Sequence, residues 1–305
     1  MLSFALRKGL RAGLTVVLLV TFTFVILRLT GDPATALVGH EAPPEAFEAF
    51  RRKWGLDAPL WQQYLIYFRE LLSGNFGQSF VGGRSAWSVV AERLPKTLAL
   101  MGAATLATLL LGIPLGILAA LRRDSWVDRL AIGVSVAGLS LPNFVVGILL
   151  ILLFGVSLAL LPTGGSESLW HFVLPVVTMA TGDAAVFARF TRSAMLDVLN
   201  QPYMRTAAAK GRDRRGAVLW HALPNAAIPL VTVVGLHVGR VIVGAVVTEN
   251  VFAWPGVGSL LVLSVQTRDL AVVQTIVILI GLTMVATNLS VDLAYRWLDP
   301  RTAAR

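Results

Sequence analysis

The sequence predicts an all-α, polytopic membrane protein with six transmembrane helices, and three properties of the chain lead to this fold class. Hydrophobic residues make up 56% of the 305 residues and charged residues only 14%, whereas a soluble domain contains about 25% charged residues. The apolar residues are collected in blocks that match helices of ~20 residues, the length that crosses a bilayer. Lys and Arg concentrate in alternate gaps between these blocks. A soluble fold is therefore excluded.

The composition also limits the chemistry of the protein. The chain contains no Cys, so disulfides, thiolate catalysis and Cys-ligated metals are excluded. The formal net charge is +9, but the basic residues lie between apolar blocks and not on one face of a folded domain. The positive charge therefore indicates membrane orientation, and no nucleic-acid partner is expected.

Residues 1–30 are predicted to form a cytoplasmic N-terminal end and the first transmembrane helix, which includes the apolar block Ala12–Leu27. A cleavable signal peptide, with Ala34–Ala36 as its cleavage site, is the alternative. The apolar run is long for a signal peptide and is followed by Arg28, so a retained helix is favoured.

Residues 31–96 are predicted to form an extracytoplasmic loop that contains an amphipathic helix. Pro59 marks the start of this helix and Gly74 its end. Its apolar residues follow the spacing of one helical face, and they are Trp61, Tyr64, Leu65, Phe68, Leu71 and Leu72. The helix lies in the outer membrane interface, caps the helix bundle, or simply packs on neighbouring transmembrane helices.

Residues 97–305 are predicted to form a five-helix core. The apolar blocks of this region are Thr97–Leu121, Leu130–Ser166, Ser168–Gly182 with a continuation toward Arg189, Gly216–Gly239 and Leu270–Val291. The second of these is too long for one crossing, and the turn residues Pro162–Gly165 end its helix near Leu161. His221–Asn225 is interpreted as a connection that leads into the membrane, so the fifth transmembrane helix is placed at about 226–247. The small-residue pairs Gly112/Gly116 and Gly235/Gly239 predict close helix packing.

Basic residues predict the orientation of the helices. They occur at the N-terminus (Arg7, Lys8, Arg11), after the second block (Arg122, Arg123, Arg129), throughout residues 189–215 and at the C-terminus (Arg296, Arg301, Arg305). The short gaps on the other side, 162–169 and 248–269, contain a single basic residue, Arg268. Because Lys and Arg in short loops stay in the cytoplasm, both termini are predicted to be cytoplasmic.

No catalytic or metal site is predicted. The chain has no phosphate-binding loop, zinc-protease motif or nucleophile elbow, and its four histidines lack ligand spacing. Only Asp183 clearly lies within a transmembrane helix, so coupled ion transport, which uses several buried carboxylates, is poorly supported. If the protein moves a solute uphill, the energy is expected to come from another polypeptide.

The cytoplasmic segment 189–225 is the most informative part of the sequence. It predicts a short helix over Thr206–Lys210 that ends at Gly211, followed by a second helical piece that ends at Pro224. A short cytosolic helix tied to transmembrane helices at both ends could transmit the movement of a partner to the bundle as a rigid body.

This segment resembles the coupling motif of ABC-importer permeases, E-A-A-x-x-x-G followed by nine residues and I-x-L-P. Arg205-Thr206-Ala207 occupies the E-A-A positions, Gly211 the glycine, and His221–Pro224 the I-x-L-P positions. The variant is similar to the branch that imports dipeptides, oligopeptides and nickel. The residues that the resemblance assigns to ATPase coupling are Arg205, Thr206, Ala207, Ala208, Ala209, Lys210, Gly211, Leu223 and Pro224.

Further strings along nearly the whole chain resemble the same branch, among them Leu141–Phe144, Leu161–Gly165, Glu249–Gly258 and Leu298–Arg301. The resemblance implies a permease of the bacterial cytoplasmic (inner) membrane that imports peptides or a similar small solute. It implies four partner chains: a second, similar permease, two cytoplasmic ATPases that hold ATP and Mg²⁺, and an extracytoplasmic solute-binding protein. This chain itself would be no enzyme and would need no cofactor.

Alternatives remain open at this stage. A self-sufficient channel or ion-coupled transporter would move solute without ATP, and within the family a nickel or other metal-complex permease has the same motifs. The sequence does not distinguish dipeptide, longer peptide, modified peptide and metal-complex cargo.

Polar residues of the fifth and fourth helices are candidates for the translocation pathway. His237 and Arg240 lie on one face of the fifth helix, and an Arg at this depth is expected to face a pathway or a counter-ion. We expect Arg240 either to meet a substrate carboxylate beside His237 or to pair with Asp183. Glu249 and Asn250, at the outer end of the same helix, form either a gate or a turn that returns the chain to the membrane.

Overall fold

The computed structural model describes residues 2–29, 43–53, 55–126, 128–130, 132–133 and 141–298. Within these ranges only the backbone is described for residues 2–8, 11–12, 27–29, 208, 214, 236, 240 and 292–298. The predicted cleavage site Ala34–Ala36 and the C-terminal residues Arg301 and Arg305 lie outside the described residues.

The described residues form helices with no strand; only one isolated bridge pairs Gln78 with Ser85. The helices are α1 (Leu2–Leu29), α2 (Pro44–Lys53), α3 (Leu60–Leu72), α4 (Ala86–Leu121), α5 (Asn143–Leu150), α6 (Trp170–Leu199), α7 (Pro202–Ala209), α8 (Arg214–Ala217), α9 (Leu223–Val251), α10 (Val257–Gln266) and α11 (Leu270–Leu298). Two π-helical segments, Ile151–Ser157 after α5 and Val218–Ala222 between α8 and α9, extend the neighbouring helices. The predicted all-α class is confirmed.

Four helical stretches in the described ranges are long and apolar enough to cross a membrane: 86–121, 170–199, 215–239 and 270–291. Shorter apolar helices occur at 13–26 and at 143–157. These two stretches correspond to the first and third predicted transmembrane helices. The total of six transmembrane helices stays a prediction.

The structure corrects two predicted boundaries. The predicted end at Pro224 is wrong, because Ala222 is helical and the chain passes through the π-helical segment directly into α9. Pro224 is the second residue of α9 and lies within this continuous helical run. The third transmembrane helix ends earlier than expected, since helical geometry stops at Ser157 and not near Leu161.

The chain divides into two compact units, and the first comprises Met1–Thr97 and Pro255–Val285. Its core contains Ala86, Val90, Val257, Leu260, Val272 and Ile276. Helix α3 begins after Pro59, where the amphipathic helix is predicted to start, and it contacts α1. Phe24 of α1 makes an edge contact with Tyr64 at 5.3 Å between ring centroids, and Thr21 hydrogen-bonds the Tyr64 hydroxyl at 2.7 Å. Packing on a neighbouring helix is therefore observed.

A buried carboxylate holds the loop before α4 in the first unit. Asp269, only 3% exposed, accepts a hydrogen bond from the Ser79 hydroxyl and a second one from the Phe80 backbone N–H at 3.2 Å. Asp269 directly precedes α11, and its own N–H donates to the Ser264 carbonyl at 2.8 Å. One side chain thus joins the loop to the turn between α10 and α11.

The second unit comprises Leu98–Trp254 and Ala286–Arg305. A Cβ atom added at Gly112 would lie 2.6 Å from the Cβ of Phe187, and one at Gly116 would lie 2.6 Å from the Cβ of Thr191. The backbones of α4 and α6 therefore approach as closely as the small-residue pattern predicts. Gly235 of α9 faces Val291 of α11 with equally little space.

The close approach of α4 and α6 predicts that Gly116→Ala lowers stability, because the new methyl group would also meet the Ala188 carbonyl oxygen at 2.5 Å. Overpacking of this kind costs roughly 1–3 kcal/mol. Gly102→Ala is the matched control on the same helix, since a Cβ there has no neighbour within 4 Å. We expect thermal unfolding in detergent to show a lower melting temperature for Gly116→Ala alone. Equal melting temperatures for the two variants would contradict the packing.

Candidate functional site

The segment between α6 and α9 forms the candidate site, and its local geometry follows from one glycine. Gly211 has a φ of +80°, a conformation that glycine adopts without steric cost. The Arg212 N–H donates to the Ala207 carbonyl at 3.2 Å and the Lys210 N–H to the Thr206 carbonyl at 3.1 Å. This is the closure of a helix by a left-handed residue, so Gly211 ends α7 as predicted.

One face of α7 is buried in its own unit. Met204 and Ala207 are each 9% exposed and pack in a cluster with Ala120 of α4 and Met195 of α6. The other members of the cluster are Ala217, Val218, Ala222 and Ala226, from α8, the π-helical segment and the start of α9. We name this the coupling cluster. Four helices that meet in one apolar cluster move with α7 if α7 is displaced.

The opposite face of α7 is exposed and basic, and it defines a second feature, the coupling surface. Its exposed residues are Tyr203, Arg205, Thr206, Ala209, Lys210, Gly211 and Arg212. No ion pair forms on Arg205, Lys210 or Arg212 within the described part of the chain. These cationic groups are available to a partner.

The structure separates the predicted coupling residues by their exposure. Arg205, Thr206, Ala209, Lys210 and Gly211 are exposed, whereas Ala207 faces the coupling cluster. Leu223 is half-buried against the same cluster and Pro224 is exposed. The side chain of Ala208 lies outside the described residues.

An ion pair that sequence reasoning missed lies near this site. The Arg192 guanidinium donates two hydrogen bonds to the Asp128 carboxylate, Nε to Oδ1 at 2.5 Å and Nη2 to Oδ2 at 2.7 Å. Asp128 also accepts from the Asp124 N–H at 3.0 Å and is 2% exposed. The hydrogen bonds from Arg192 lower the pKa of Asp128, although burial raises it. The pair ties the segment after α4 to α6.

The predicted pathway residues lie in α6 and α9. His237 is 3% exposed; its Nδ1 lies 3.4 Å from Asp183 Oδ2, and its ring stands edge-on to Phe187 at 5.3 Å. Neither ring nitrogen of His237 makes a hydrogen bond. The side chain of Arg240 lies outside the described residues, so its expected contact with Asp183 or substrate stays a prediction.

Glu249 and Asn250 occupy the last turn of α9. Glu249 is fully buried, and the Asn250 side chain donates to the Val246 carbonyl at 2.7 Å. The Trp254 N–H donates to the Glu249 carbonyl at 2.7 Å, which closes the turn after α9. Trp254 is 1% exposed and makes an edge contact with Phe172 at 4.5 Å. The predicted turn is present, and a gating role stays a proposal.

Comparison with known families defines the class of this protein. The family described as "Binding-protein-dependent transport system inner membrane component" matches residues 112–304, and its N-terminal companion family matches residues 1–101. The chain belongs to this family, which confirms the resemblance. It is therefore a multi-pass inner-membrane protein and the permease subunit of an ATP-binding-cassette importer.

Individual relatives place it more closely. The chain is 42% identical over 302 residues to the glutathione transport system permease protein GsiC of Escherichia coli (strain K12), and 98% of both chains is covered. It is 43% identical, with the same coverage, to GsiC of Salmonella typhimurium. Both relatives are described as permease proteins.

Solved structures show the same fold at low sequence identity. The inward-facing MetNI methionine ABC transporter matches with a TM-score of 0.58 and 16% identity, over 70% of this chain and 97% of that chain. An amino acid ABC transporter with histidines matches with a TM-score of 0.53 and 17% identity, over 68% and 94%.

The Asp128–Arg192 pair predicts a pH-dependent loss of stability. Asp128→Asn leaves Arg192 without its counter-ion, which costs about 3 kcal/mol for a buried pair. Because the folded pKa of Asp128 lies below the unfolded value of about 3.9, its contribution is present above that value and lost as pH falls further. We expect melting temperatures of wild type and Asp128→Asn to differ at pH 7 and to converge below about pH 4.

Glu92→Gln is the control for this experiment. Glu92 pairs with Arg84 on the surface, where both side chains are more than half exposed, so the pair contributes little. A melting temperature of Asp128→Asn that equals those of wild type and Glu92→Gln at pH 7 would contradict a stabilising role.

Proposed function

We propose that this chain converts ATP-driven movement of partner ATPases into alternating access for a peptide-like solute, with the coupling surface as the docking element. The observation that carries the proposal is the two-sided character of α7. Its inner face belongs to an apolar cluster with residues of four other helices. Its outer face presents exposed basic side chains that form no ion pair within the described part of the chain. A partner that binds the outer face of α7 and moves it therefore also displaces the coupling cluster on its inner face.

The proposed assembly follows the family. A second homologous permease pairs with this chain, two cytoplasmic ATPases bind ATP and Mg²⁺, and an external binding protein delivers solute. Both termini of this chain face the cytoplasm, because the coupling surface and the Arg-rich gaps lie on the same side. Closure of the ATPases on ATP carries α7 inward, and the transmembrane helices reorient around the solute.

Glutathione or another short peptide is the cargo that we propose first. The relatives with 42–43% identity over 98% of the chain are named for glutathione transport. A nickel or other metal complex is the second cargo class, because the motifs of the family are shared by both.

We propose that His237, Asp183 and Arg240 contribute to the solute pathway, with Glu249 and Asn250 at its outer end. Support comes from the two ring nitrogens of His237, which are buried without a hydrogen bond. A buried polar group costs free energy until it finds a partner, so a second conformation or a bound solute is expected to supply one. Asp183 remains about one-fifth exposed beside it.

Charge reversal on the coupling surface tests the docking role. We expect Arg205→Glu with Lys210→Glu to abolish ATP-driven uptake, because two exposed cations become anions at the proposed contact. Arg123→Glu is the matched control, an exposed basic residue in the other cytoplasmic gap. The measurement is recovery of co-purifying ATPases in mild detergent, together with ATP-dependent uptake in liposomes.

Two results would contradict the docking role. One is full ATPase recovery and uptake in the double variant. The other is solute flux through the wild-type chain alone without ATP, which would favour a channel or an ion-coupled transporter.

Asp183→Asn tests the pathway role. We expect uptake of glutathione to fall at least about tenfold, while ATPase recovery is unchanged, because the variant removes a charge beside His237 and leaves the coupling surface intact. Asp197→Asn is the matched control, an exposed aspartate on the same helix α6. Uptake and substrate range equal to those of the control would show that Asp183 is outside the pathway.

A further inference from the structure

The first unit contains a cavity of about 250 Å³ that none of the roles above uses. It lies between α1, α3, the loop before α4 and the first turns of α11. Phe24, Phe76 and Phe80 supply aromatic walls, and Gln274 of α11, 7% exposed, adds a polar group. By the predicted topology this region is extracytoplasmic.

A row of hydrogen-bonding groups on α3 lines one side of the cavity. Gln63, Tyr67 and Glu70 are spaced i, i+4 and i+7, so they share one helical face. The Gln63 amide N–H₂ donates to the carbonyls of Leu56 at 3.2 Å and Ala58 at 2.6 Å, which fixes the orientation of the amide. Its Oε1 is buried and accepts no hydrogen bond.

The other two groups of the row, the Glu70 carboxylate and the Tyr67 phenol, can also accept hydrogen bonds. One oxygen of the Glu70 carboxylate accepts from the Asn75 side chain at 2.6 Å, which leaves the second oxygen for another donor. Burial raises the pKa of Tyr67, so its phenol stays neutral at physiological pH.

The lining of the cavity favours a cation. Glu70 is the one charged side chain among the residues that line it, and neither Lys, Arg nor His is among these described residues. Aromatic faces attract cations as well as apolar groups. A metal ion is disfavoured, because no three His, Cys, Asp or Glu side chains cluster anywhere in the described ranges. The volume lies just below the about 300–1,000 Å³ of drug-sized sites, so the ligand is small.

We propose that this cavity binds a small molecule whose primary ammonium group lies next to an apolar side chain. The ammonium supplies the N–H donors that Gln63 Oε1 and the Glu70 carboxylate lack, and the apolar part packs on the phenylalanines. A free amino acid and a dipeptide have both parts, and an ethanolamine lipid headgroup shares the primary ammonium group. The proposal is independent of the coupling role, since binding needs neither ATP nor partner chains.

The test is calorimetric titration of the full chain in lipid nanodiscs with phenylalanyl-alanine and with its N-acetylated form. We expect saturable binding of the free dipeptide and none of the acetylated one. Glu70→Gln is expected to weaken binding by roughly tenfold or more, because it replaces a charge-assisted hydrogen bond and keeps the acceptor for Asn75. Tyr67→Phe should weaken it less, and Glu92→Gln, which lies away from the cavity, not at all.

Lipid composition separates the two sources of ammonium. Dipeptide binding in phosphatidylglycerol discs that disappears when phosphatidylethanolamine is added assigns the site to a lipid headgroup, and equal binding in both assigns it to a soluble amine. Equal binding of the acetylated dipeptide, unchanged affinity in Glu70→Gln and Tyr67→Phe, or no saturable binding in either lipid would overturn the proposal.

Discussion

The close approach of α4 to α6 at Gly112 and Gly116 is the contact on which the second unit depends. Lipid tails are as apolar as Leu, so helices in a bilayer gain little from burying apolar surface and associate through close packing. The backbones meet here because no side chain intervenes. The same two helices contribute Ala120 and Met195 to the coupling cluster, about one to two turns further toward their C-terminal ends. Close packing in the membrane therefore positions the platform on which α7 lies.

Buried charges add directional contacts to this packing. The bidentate pair of Arg192 with Asp128 fixes α6 relative to the segment after α4. Each oxygen of the Asp128 carboxylate accepts at least one hydrogen bond. His237 and Asp183 differ from it, because their contact at 3.4 Å satisfies neither ring nitrogen. A satisfied pair stabilises one arrangement, whereas an unsatisfied one favours a change of partner. The two charged residues of α6 thus differ in kind: Arg192 is fully paired, whereas Asp183 lies beside an unsatisfied histidine.

The sequence predicted most of what depends on local chemistry. Proline at the start and glycine at the end identified α3, and Gly211 identified the end of α7, because capping is decided within a few residues. The helix end predicted at Pro224 was wrong because the preceding π-helical segment continues the helix, and such a segment has no sequence signature. The Asp128–Arg192 pair joins residues 64 positions apart, and the segment after α4 contains two aspartates and several arginines. Sequence alone could not choose among these partners.

The coupling motif combines two physical requirements, packing inside this chain and an exposed charge, and the sequence of the motif does not show which residue serves which. Ala207 is small because it must fit between α7 and the coupling cluster, a demand of this chain's own fold. Arg205, two residues earlier, is exposed on the opposite side of α7 and makes no ion pair among the described residues, so its charge is open to a partner. Family resemblance assigns both residues to ATPase coupling. The structure buries Ala207 in the coupling cluster and leaves the basic face exposed, an arrangement that supports the proposed division between transmission of movement and recognition of the ATPase.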